Sequence, residues 1–124
     1  MSDNFGSKSV PTEIRAIQKD KVLEVDFSDG AKFRLPAELL RVESPSAEVQ
    51  GHGPGQKTTV AGRRHVGIMK VEQVGNYAVK IVFDDMHDTG IFSWDTLYDF
   101  GLRKDEIWQN YLSELEQKGL SRDP

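Results

Sequence analysis

The sequence predicts an α+β fold, in which a small, mostly antiparallel β-sheet is combined with a short helix and a C-terminal amphipathic helix. Short runs that alternate apolar and polar residues fill most of the chain, and turn-forming Asp-Gly and Gly-Asn pairs separate them. A stripe of apolar residues at helical spacing follows near the C-terminus. With 124 residues, 37% of them hydrophobic, the chain has the size and apolar content of one folded domain. We therefore expect a flexible tail over residues 1–11, one domain over 12–119 and a C-terminal tail over 120–124.

The N-terminal part is predicted to consist of strands. A short mixed run over residues 13–17 precedes residues 23–27, in which apolar side chains alternate with acidic ones, as one buried face requires. The Ser-Asp-Gly sequence at 28–30 tolerates the backbone of a tight turn, and the alternation resumes over 31–35, so these segments form the clearest hairpin. The proline that opens residues 36–41 is typical of the first turn of a short helix.

The middle of the chain is predicted to be a long loop followed by further strands. Residues 43–64 contain Ser-Pro-Ser and Gly-His-Gly-Pro-Gly, which suit neither a helix nor a central strand. Runs rich in β-forming residues follow over 66–74, 76–83 and 89–92. In the second run, one face is expected to carry Tyr77, Val79, Ile81 and Phe83. The core is expected to contain Phe27, Phe33, Ile81 and Phe83.

Two helices are predicted after the last strand. The Ser93 hydroxyl can accept a hydrogen bond from a first-turn N–H and so cap a short helix that begins at Trp94, and Gly101 suits its end. A final helix is predicted over residues 104–118, before Gly119. Its buried stripe is expected to consist of Ile107, Trp108, Tyr111, Leu112 and Leu115. Aromatic residues in this part of the chain could also line a ligand cleft, although such residues at helical spacing more often belong to a core.

Composition and charge exclude several classes of protein. The chain has no cysteine, so its own residues cannot supply thiolate catalysis, a disulfide or cysteine ligands for zinc or iron–sulfur clusters. Its 16 basic and 20 acidic residues give a net charge of −4, which disfavours a dedicated nucleic-acid binder. No apolar run approaches the roughly 18 residues of a membrane span, and the polar N-terminus lacks the apolar core of a secretion signal. We therefore expect a cytoplasmic protein with no membrane partner.

Charge is distributed unevenly along the chain. Residues 49–71 contain four basic residues and no acidic ones, whereas residues 84–99 contain five aspartates and no lysine or arginine. A glycine-rich basic loop could bind a phosphate or carboxylate, and an RNA or nucleotide ligand on Arg63 and Arg64 would then bind in a salt-sensitive way. The simpler interpretation, which we favour, is that the basic loop pairs with the acidic segment. The glycine run is not a P-loop, because the Gly-Lys-Ser/Thr ending is absent.

One histidine lies among carboxylates. Asp85 and His87 can share one face of a strand or turn, and an imidazole beside carboxylates suits a divalent ion such as iron or zinc. His52 is a possible distant partner for them. The favoured alternative is an acidic turn exposed to water. No Ser-His-Asp arrangement can be assigned from the spacing, because Gly-x-Ser-x-Gly is absent.

Three segments carry a resemblance to a known family. These are Leu-Pro-Ala-Glu-Leu-Leu-Arg at 35–41, Ser-Pro-Ser-Ala-Glu-Val at 44–49 and, above all, VKIVFDDMHDTGIFSWDTL at 79–97. Over about residues 12–102, the chain resembles the gamma-butyrobetaine hydroxylase-like N-terminal domain family, formerly a domain of unknown function. Members of that family occur as small stand-alone bacterial proteins, as the N-terminal domain of carnitine-pathway dioxygenases, and joined to iron–sulfur carrier ATPases of the Mrp type.

The resemblance also implies where a metal would lie. In the dioxygenases this domain looks like a zinc-binding accessory unit with a Cys-x-Cys-x-x-Cys cluster and one histidine. Carried over by position, the cysteines fall on Ser44, Ser46 and Val49, and the histidine falls on His87. Hydroxyls and a valine cannot replace thiolates around zinc, so the resemblance implies a structural site that has lost three of its four ligands.

The expected function is therefore that of a non-enzymatic accessory or protein-binding module. The resemblance suggests a link to iron–sulfur or metal handling through an unidentified protein partner, with no cofactor of its own. The expected contact surface is the long loop with Arg63 and Arg64, beside the His87 turn and Trp94. The alternative is a metal-binding protein in which His87, Asp85 and His52 hold iron or zinc. Hydroxylase activity is not expected, because the catalytic barrel of the dioxygenases is a separate domain.

Overall fold

The computed structural model of the protein describes residues 9–51, 53 and 55–124, and within them the chain forms six strands and four helices. The strands are β1 (Pro11–Ile17), β2 (Val22–Phe27), β3 (Lys32–Pro36), β4 (Ile68–Val74), β5 (Ala78–Phe83) and β6 (Gly90–Ser93). The helices are α1 (Ala37–Val42), α2 (Ala47–Gln50), α3 (Trp94–Leu102) and α4 (Lys104–Lys118). No helix among these residues is long and apolar enough to cross a membrane.

The strands form two antiparallel sheets of three strands, in the orders β1-β2-β3 and β4-β5-β6. The predicted α+β class is confirmed, but the predicted single sheet is two. Each strand pairs with its neighbour along the chain, as hairpin connections favour. The long segment between β3 and β4 separates the two sets of hairpins along the chain, and no ladder of backbone hydrogen bonds joins the two described sheets.

One apolar core lies between the sheets and the helices. It contains Leu23, Val25, Phe27, Leu35, Ala37, Leu39, Leu40, Val66, Ile68, Val79, Ile81, Phe83, Phe92, Leu97 and Ile107. Three of the four predicted core residues belong to it, and the fourth, Phe33, is partly buried against it. The prediction that Tyr77 shares the buried face of β5 is wrong. Tyr77 lies in the turn before the strand, where its N–H donates to the Val74 carbonyl, and it is 57% exposed.

Helix α3 begins as predicted but ends later. The Ser93 hydroxyl accepts a hydrogen bond from the Thr96 N–H at 3.1 Å, as an N-cap does. The prediction that Gly101 ends the helix is wrong, since the helix continues to Leu102. Gly101 instead makes room for Phe33, because a Cβ at this position would lie 2.2 Å from the Phe33 ring carbon Cγ.

Helix α4 has the predicted bounds, and Gly119 ends it in the left-handed conformation with φ 65°. Its inner face packs Tyr111 and Leu115 against Val42 in a second, smaller cluster. Beyond the helix, the backbone N–H groups of Gly62 and Arg64 bond to the carbonyls of residues 121 and 122. The end of the chain therefore holds the segment that leads into β4.

Candidate functional site

A surface cleft of about 550 Å³ lies among the described residues. One wall is the extended segment 58–61, and the other consists of the β5–β6 turn, residues 85–88, together with Glu48 and Val49 of α2. Arg41 and Arg63 form its floor. We call this cavity the cleft.

The wall over residues 58–61 is anchored from two sides. The Tyr111 hydroxyl donates to the Val60 carbonyl at 2.6 Å, and the Thr58 N–H donates to the Val49 carbonyl at 2.7 Å. Next to the wall, the Lys57 ammonium group lies 2.7 Å from the Glu43 carboxylate. This segment has no regular secondary structure, yet its position is fixed by contacts with α2 and α4.

The β5–β6 turn directs neighbouring side chains in opposite directions. The Phe83 N–H donates to the His87 carbonyl at 3.0 Å, and the His87 N–H donates to Asp85 Oδ1 at 3.1 Å. Between them, Met86 has φ 74° and is 82% exposed, whereas His87 is 7% exposed. A left-handed conformation in a residue other than glycine costs about 1–3 kcal/mol and persists only where its surroundings fix it. The turn's own hydrogen bonds supply that constraint.

His87 lies in a buried polar cluster with Ser44, Ser46 and Glu48, which we call the His87 cluster. Its Nδ1 is 3.0 Å from Glu48 Oε1, and its Nε2 is 3.2 Å from Ser44 Oγ and 3.3 Å from Ser46 Oγ. With the proton on Nδ1, the nitrogen that faces the carboxylate, Nε2 accepts a hydrogen bond from a serine hydroxyl. Burial lowers the pKa of His87, and the positive charge of Arg41 lowers it further, against the opposing effect of Glu48. The imidazole is therefore neutral at pH 7.

The structure brings together the four positions at which the resemblance places zinc ligands. The hydroxyls of Ser44 and Ser46 contact the His87 ring, and Val49 lines the cleft beside it. Hydroxyls and a valine do not fit zinc or iron, and no group of three or more His, Asp or Glu side chains in the described residues is arranged to hold an ion. His52, the third predicted ligand, lies outside the described residues. In the described residues, hydrogen bonds between His87 and the two serines hold three of the four positions together.

The same cluster has the order of contacts of a Ser-His-Glu triad, which sequence spacing did not reveal. A nucleophile must reach its substrate, and Ser44 is 0% exposed while Ser46 is 7% exposed. With their hydroxyls directed into the protein, these serines do not present a nucleophile to the cleft. The contacts join α2 to the β5–β6 turn instead.

Asp85 is held by two arginines. Its Oδ2 lies 2.7 Å from Arg41 Nε and 2.7 Å from Arg63 Nε. Burial alone would raise the pKa of Asp85, but hydrogen bonds from Arg41 and from the His87 N–H, together with both positive charges, lower it. The ionised carboxylate therefore pairs with the guanidinium groups. The expected pairing between basic loop and acidic segment is present in the Arg63–Asp85 contact.

The other two residues of the expected contact surface lie outside the cleft. Arg64 forms an ion pair with Asp123 near the C-terminus. Trp94 lies at the far end of the β5–β6 hairpin, where its indole N–H donates to the Asn76 carbonyl at 2.7 Å and its ring packs against the main core. Of the predicted site residues in the described part of the chain, the structure brings together Arg63, Asp85 and His87.

Sequence reasoning did not identify Arg41 and Glu48 as residues of the site. Each meets its partner across 39 to 44 positions of sequence, and such contacts leave no local pattern. The burial of Arg41 implies a partner, because arginine is almost never fully buried unless it is paired, but that burial is visible only in the structure.

These features define a small α+β domain with a polar cleft and a buried hydrogen-bonded cluster around His87. Residues 14–98 match the sequence profile of the family described as gamma-butyrobetaine hydroxylase-like, N-terminal. The match covers more than half of the chain, so the chain belongs to this family, and the resemblance predicted from the sequence is confirmed.

Solved structures agree with this membership. One solution NMR structure is 47% identical, covers 93% of this chain and 90% of its own, and has a TM-score of 0.81. A second is 43% identical, covers 100% of this chain and 92% of its own, and has a TM-score of 0.83. A crystal structure of a protein of unknown function from Acidithiobacillus ferrooxidans, of the DUF971 family, is 44% identical, covers 70% of this chain and 86% of its own, and has a TM-score of 0.58. A comparison with curated proteins found no match.

Proposed function

We propose that this protein is a non-enzymatic binding module that docks a protein partner at the cleft. The observation that carries the proposal is Met86, which stands at the edge of the cleft. At 82%, it is the most exposed large hydrophobic side chain of the described residues. A flexible, polarisable methionine suits a surface that packs against another protein. The left-handed backbone at this position holds the side chain away from its own core.

The cleft is also preformed, which favours binding. Ion pairs from Arg41 and Arg63 to Asp85 join α1, the loop before β4 and the β5–β6 turn. The His87 cluster joins the same turn to α2. A partner that docks here would not have to order these segments, so less of the binding free energy would be lost to conformational entropy.

The resemblance suggests which partners to test first. Relatives that are joined to Mrp-type iron–sulfur carrier ATPases make proteins of iron–sulfur assembly the first candidates. If this protein docked to such a carrier, it would take part in metal handling although the carrier, and not this protein, would bind the metal.

The proposal is tested by site-specific photocrosslinking in native cells. A photoreactive benzoylphenylalanine is placed at Met86, and the matched control carries the same residue at Met69, which is 55% exposed in β4. We expect a discrete crosslinked protein from position 86 and not from position 69. Identical products from both positions, or no product from position 86, would contradict docking at the cleft.

A further inference from the structure

The floor of the cleft carries more positive than negative charge. Arg41 and Arg63 share a single carboxylate oxygen of Asp85, each at 2.7 Å. Within the part of the chain that the structure describes, Asp85 is the one acidic group in an ion pair with either arginine. Two guanidinium groups thus share one carboxylate, and no second acidic group of the described residues lies at ion-pair distance from either of them.

Two N–H groups of these arginines also lack acceptors. Arg41 Nη1 is buried with no hydrogen-bond partner among the described residues, and the side chain of Arg41 is only 10% exposed. Arg63 Nε has no hydrogen-bond partner either, although it lies 2.7 Å from Asp85. That contact is therefore an ion pair without hydrogen-bond geometry. Unsatisfied buried donors are rare and costly, so the protein alone does not satisfy the hydrogen-bonding capacity of these two guanidinium groups.

Arg63 is the arginine that a ligand can reach. Its side chain is 34% exposed, and its Nη1 already donates to the Ala61 carbonyl at 3.1 Å, which orients the guanidinium group. An oriented guanidinium fork matches the two oxygens of a carboxylate.

The edge of the cleft has the opposite charge to its floor. Glu48, with its side chain 66% exposed, and the exposed Asp88 flank His87 there. These carboxylates repel multiply charged anions such as phosphate groups and nucleic acids. They attract a basic group that lies next to the ligand's carboxylate.

We propose that the cleft binds a carboxylate of a protein segment in which a basic residue lies close to that carboxylate. The carboxylate meets Arg63, with Arg41 behind it, and the basic residue meets Glu48 and Asp88. The bound carboxylate belongs either to an acidic side chain or to the C-terminus of the partner. The inference rests on the proposed function, since it names the chemistry of the segment that docks at the cleft.

The test is an NMR titration of the full chain, labelled with 15N, with three short peptides. Ac-Lys-Ala-Glu-NH2 carries a side-chain carboxylate, Ac-Lys-Ala-Ala-OH carries a C-terminal one, and Ac-Lys-Ala-Gln-NH2 carries none. We expect at least one of the first two to shift amide signals of residues 59–63 and 85–88, and the third to shift none. Titration to about 10 mM detects an affinity of about 1 mM or tighter. The peptide that binds identifies the source of the carboxylate.

Arginine variants establish whether Arg63 makes the contact. Arg63→Gln should weaken binding by about tenfold, because a charge-assisted hydrogen bond is lost. Arg63→Lys retains the charge and should bind more weakly than the wild type, since the fork is lost. Arg34→Gln, at an exposed site in β3 away from the cleft, is the matched control and should bind as the wild type does. The spectrum of each free variant shows whether it is folded.

Several results would overturn the carboxylate assignment. The first is that the peptide without a carboxylate binds as tightly as the carboxylate peptides, and the second is that neither carboxylate peptide shifts any signal. The third is that inorganic phosphate binds more tightly than both carboxylate peptides. The fourth is that both Arg63 variants are folded and bind as the wild type does. A crosslinked partner at position 86 together with any of these results would leave docking at the cleft supported and the proposed ligand class wrong. The two proposals can therefore fail separately.

Discussion

Replacing His87 with alanine should lower the free energy of unfolding by about 2–4 kcal/mol, because it removes the centre of a buried polar cluster. The substitution leaves the hydroxyls of Ser44 and Ser46 without the Nε2 acceptor that lies 3.2 and 3.3 Å away. A buried group left unsatisfied costs about 1–3 kcal/mol. The lost packing of the ring, whose centroid lies 6.0 Å from that of Phe83, accounts for about 1 kcal/mol more.

The contact with Glu48 should contribute little to this loss. The Glu48 side chain is 66% exposed, and an exposed polar contact contributes about 0–1 kcal/mol. The free energy is measured by urea unfolding followed by tryptophan fluorescence. His65→Ala is the matched control, because His65 is exposed, and its effect should stay within about 0.5 kcal/mol. A loss below about 1 kcal/mol in His87→Ala would refute the reasoning, since it would mean that the cluster is hydrated and not structural.

The remaining predictions concern pH, metal and packing. The pKa of His87 is lower in the folded chain than its ordinary value of 6.5. Below pH 6.5 the unfolded chain therefore binds more protons than the folded one, so the free energy of unfolding should fall as the pH drops below that value. His87→Ala should show a shallower fall. Dialysis against EDTA should leave the melting temperature unchanged, because the described residues hold no group suited to an ion. Gly101→Ala should cost about 1–3 kcal/mol by urea unfolding, since its Cβ would meet the Phe33 ring at 2.2 Å. Ile81→Asp, which puts a carboxylate at a 0% exposed position, should abolish cooperative unfolding.

Each of these expectations has an outcome that contradicts it. An unchanged pH profile in His87→Ala would show that another group causes the acid sensitivity. A melting temperature that EDTA lowers and zinc or iron restores would support the metal-binding alternative. Wild-type stability in Gly101→Ala would show that α3 shifts at no cost, and an unchanged melting curve for Ile81→Asp would contradict the placement of β5.

Much of the fold could be predicted because its signals are local. The bounds of α4 follow from its apolar stripe and from Gly119, which lie within one segment. The hairpin of β2 and β3 follows from alternation around an Asp-Gly turn. The errors arose where a residue's role depends on a distant neighbour. Gly101 was predicted to end a helix, but the position of Phe33, far away in sequence, determines why glycine is there.

The candidate site was only partly predictable for the same reason. Asp85 and His87 were identified because they lie close together in a polar, acidic turn. Their partners Arg41 and Ser44 were not identified as such. Arg41 reaches Asp85 across 44 positions, and Ser44 reaches His87 across 43. The resemblance placed Ser44, Ser46 and His87 at one site, but the sequence did not reveal that they are joined there by hydrogen bonds.

The amino-acid sequence by itself was enough to define the strands, the helices, the absence of thiolate chemistry and the family. These properties depend on neighbouring residues, whose spacing decides which faces are apolar and where the backbone turns. The cleft, the shared carboxylate beneath it and the neutral state of His87 came from tertiary packing alone. Burial and the approach of charges from separate segments set them, and these depend on distances in space that linear spacing does not encode.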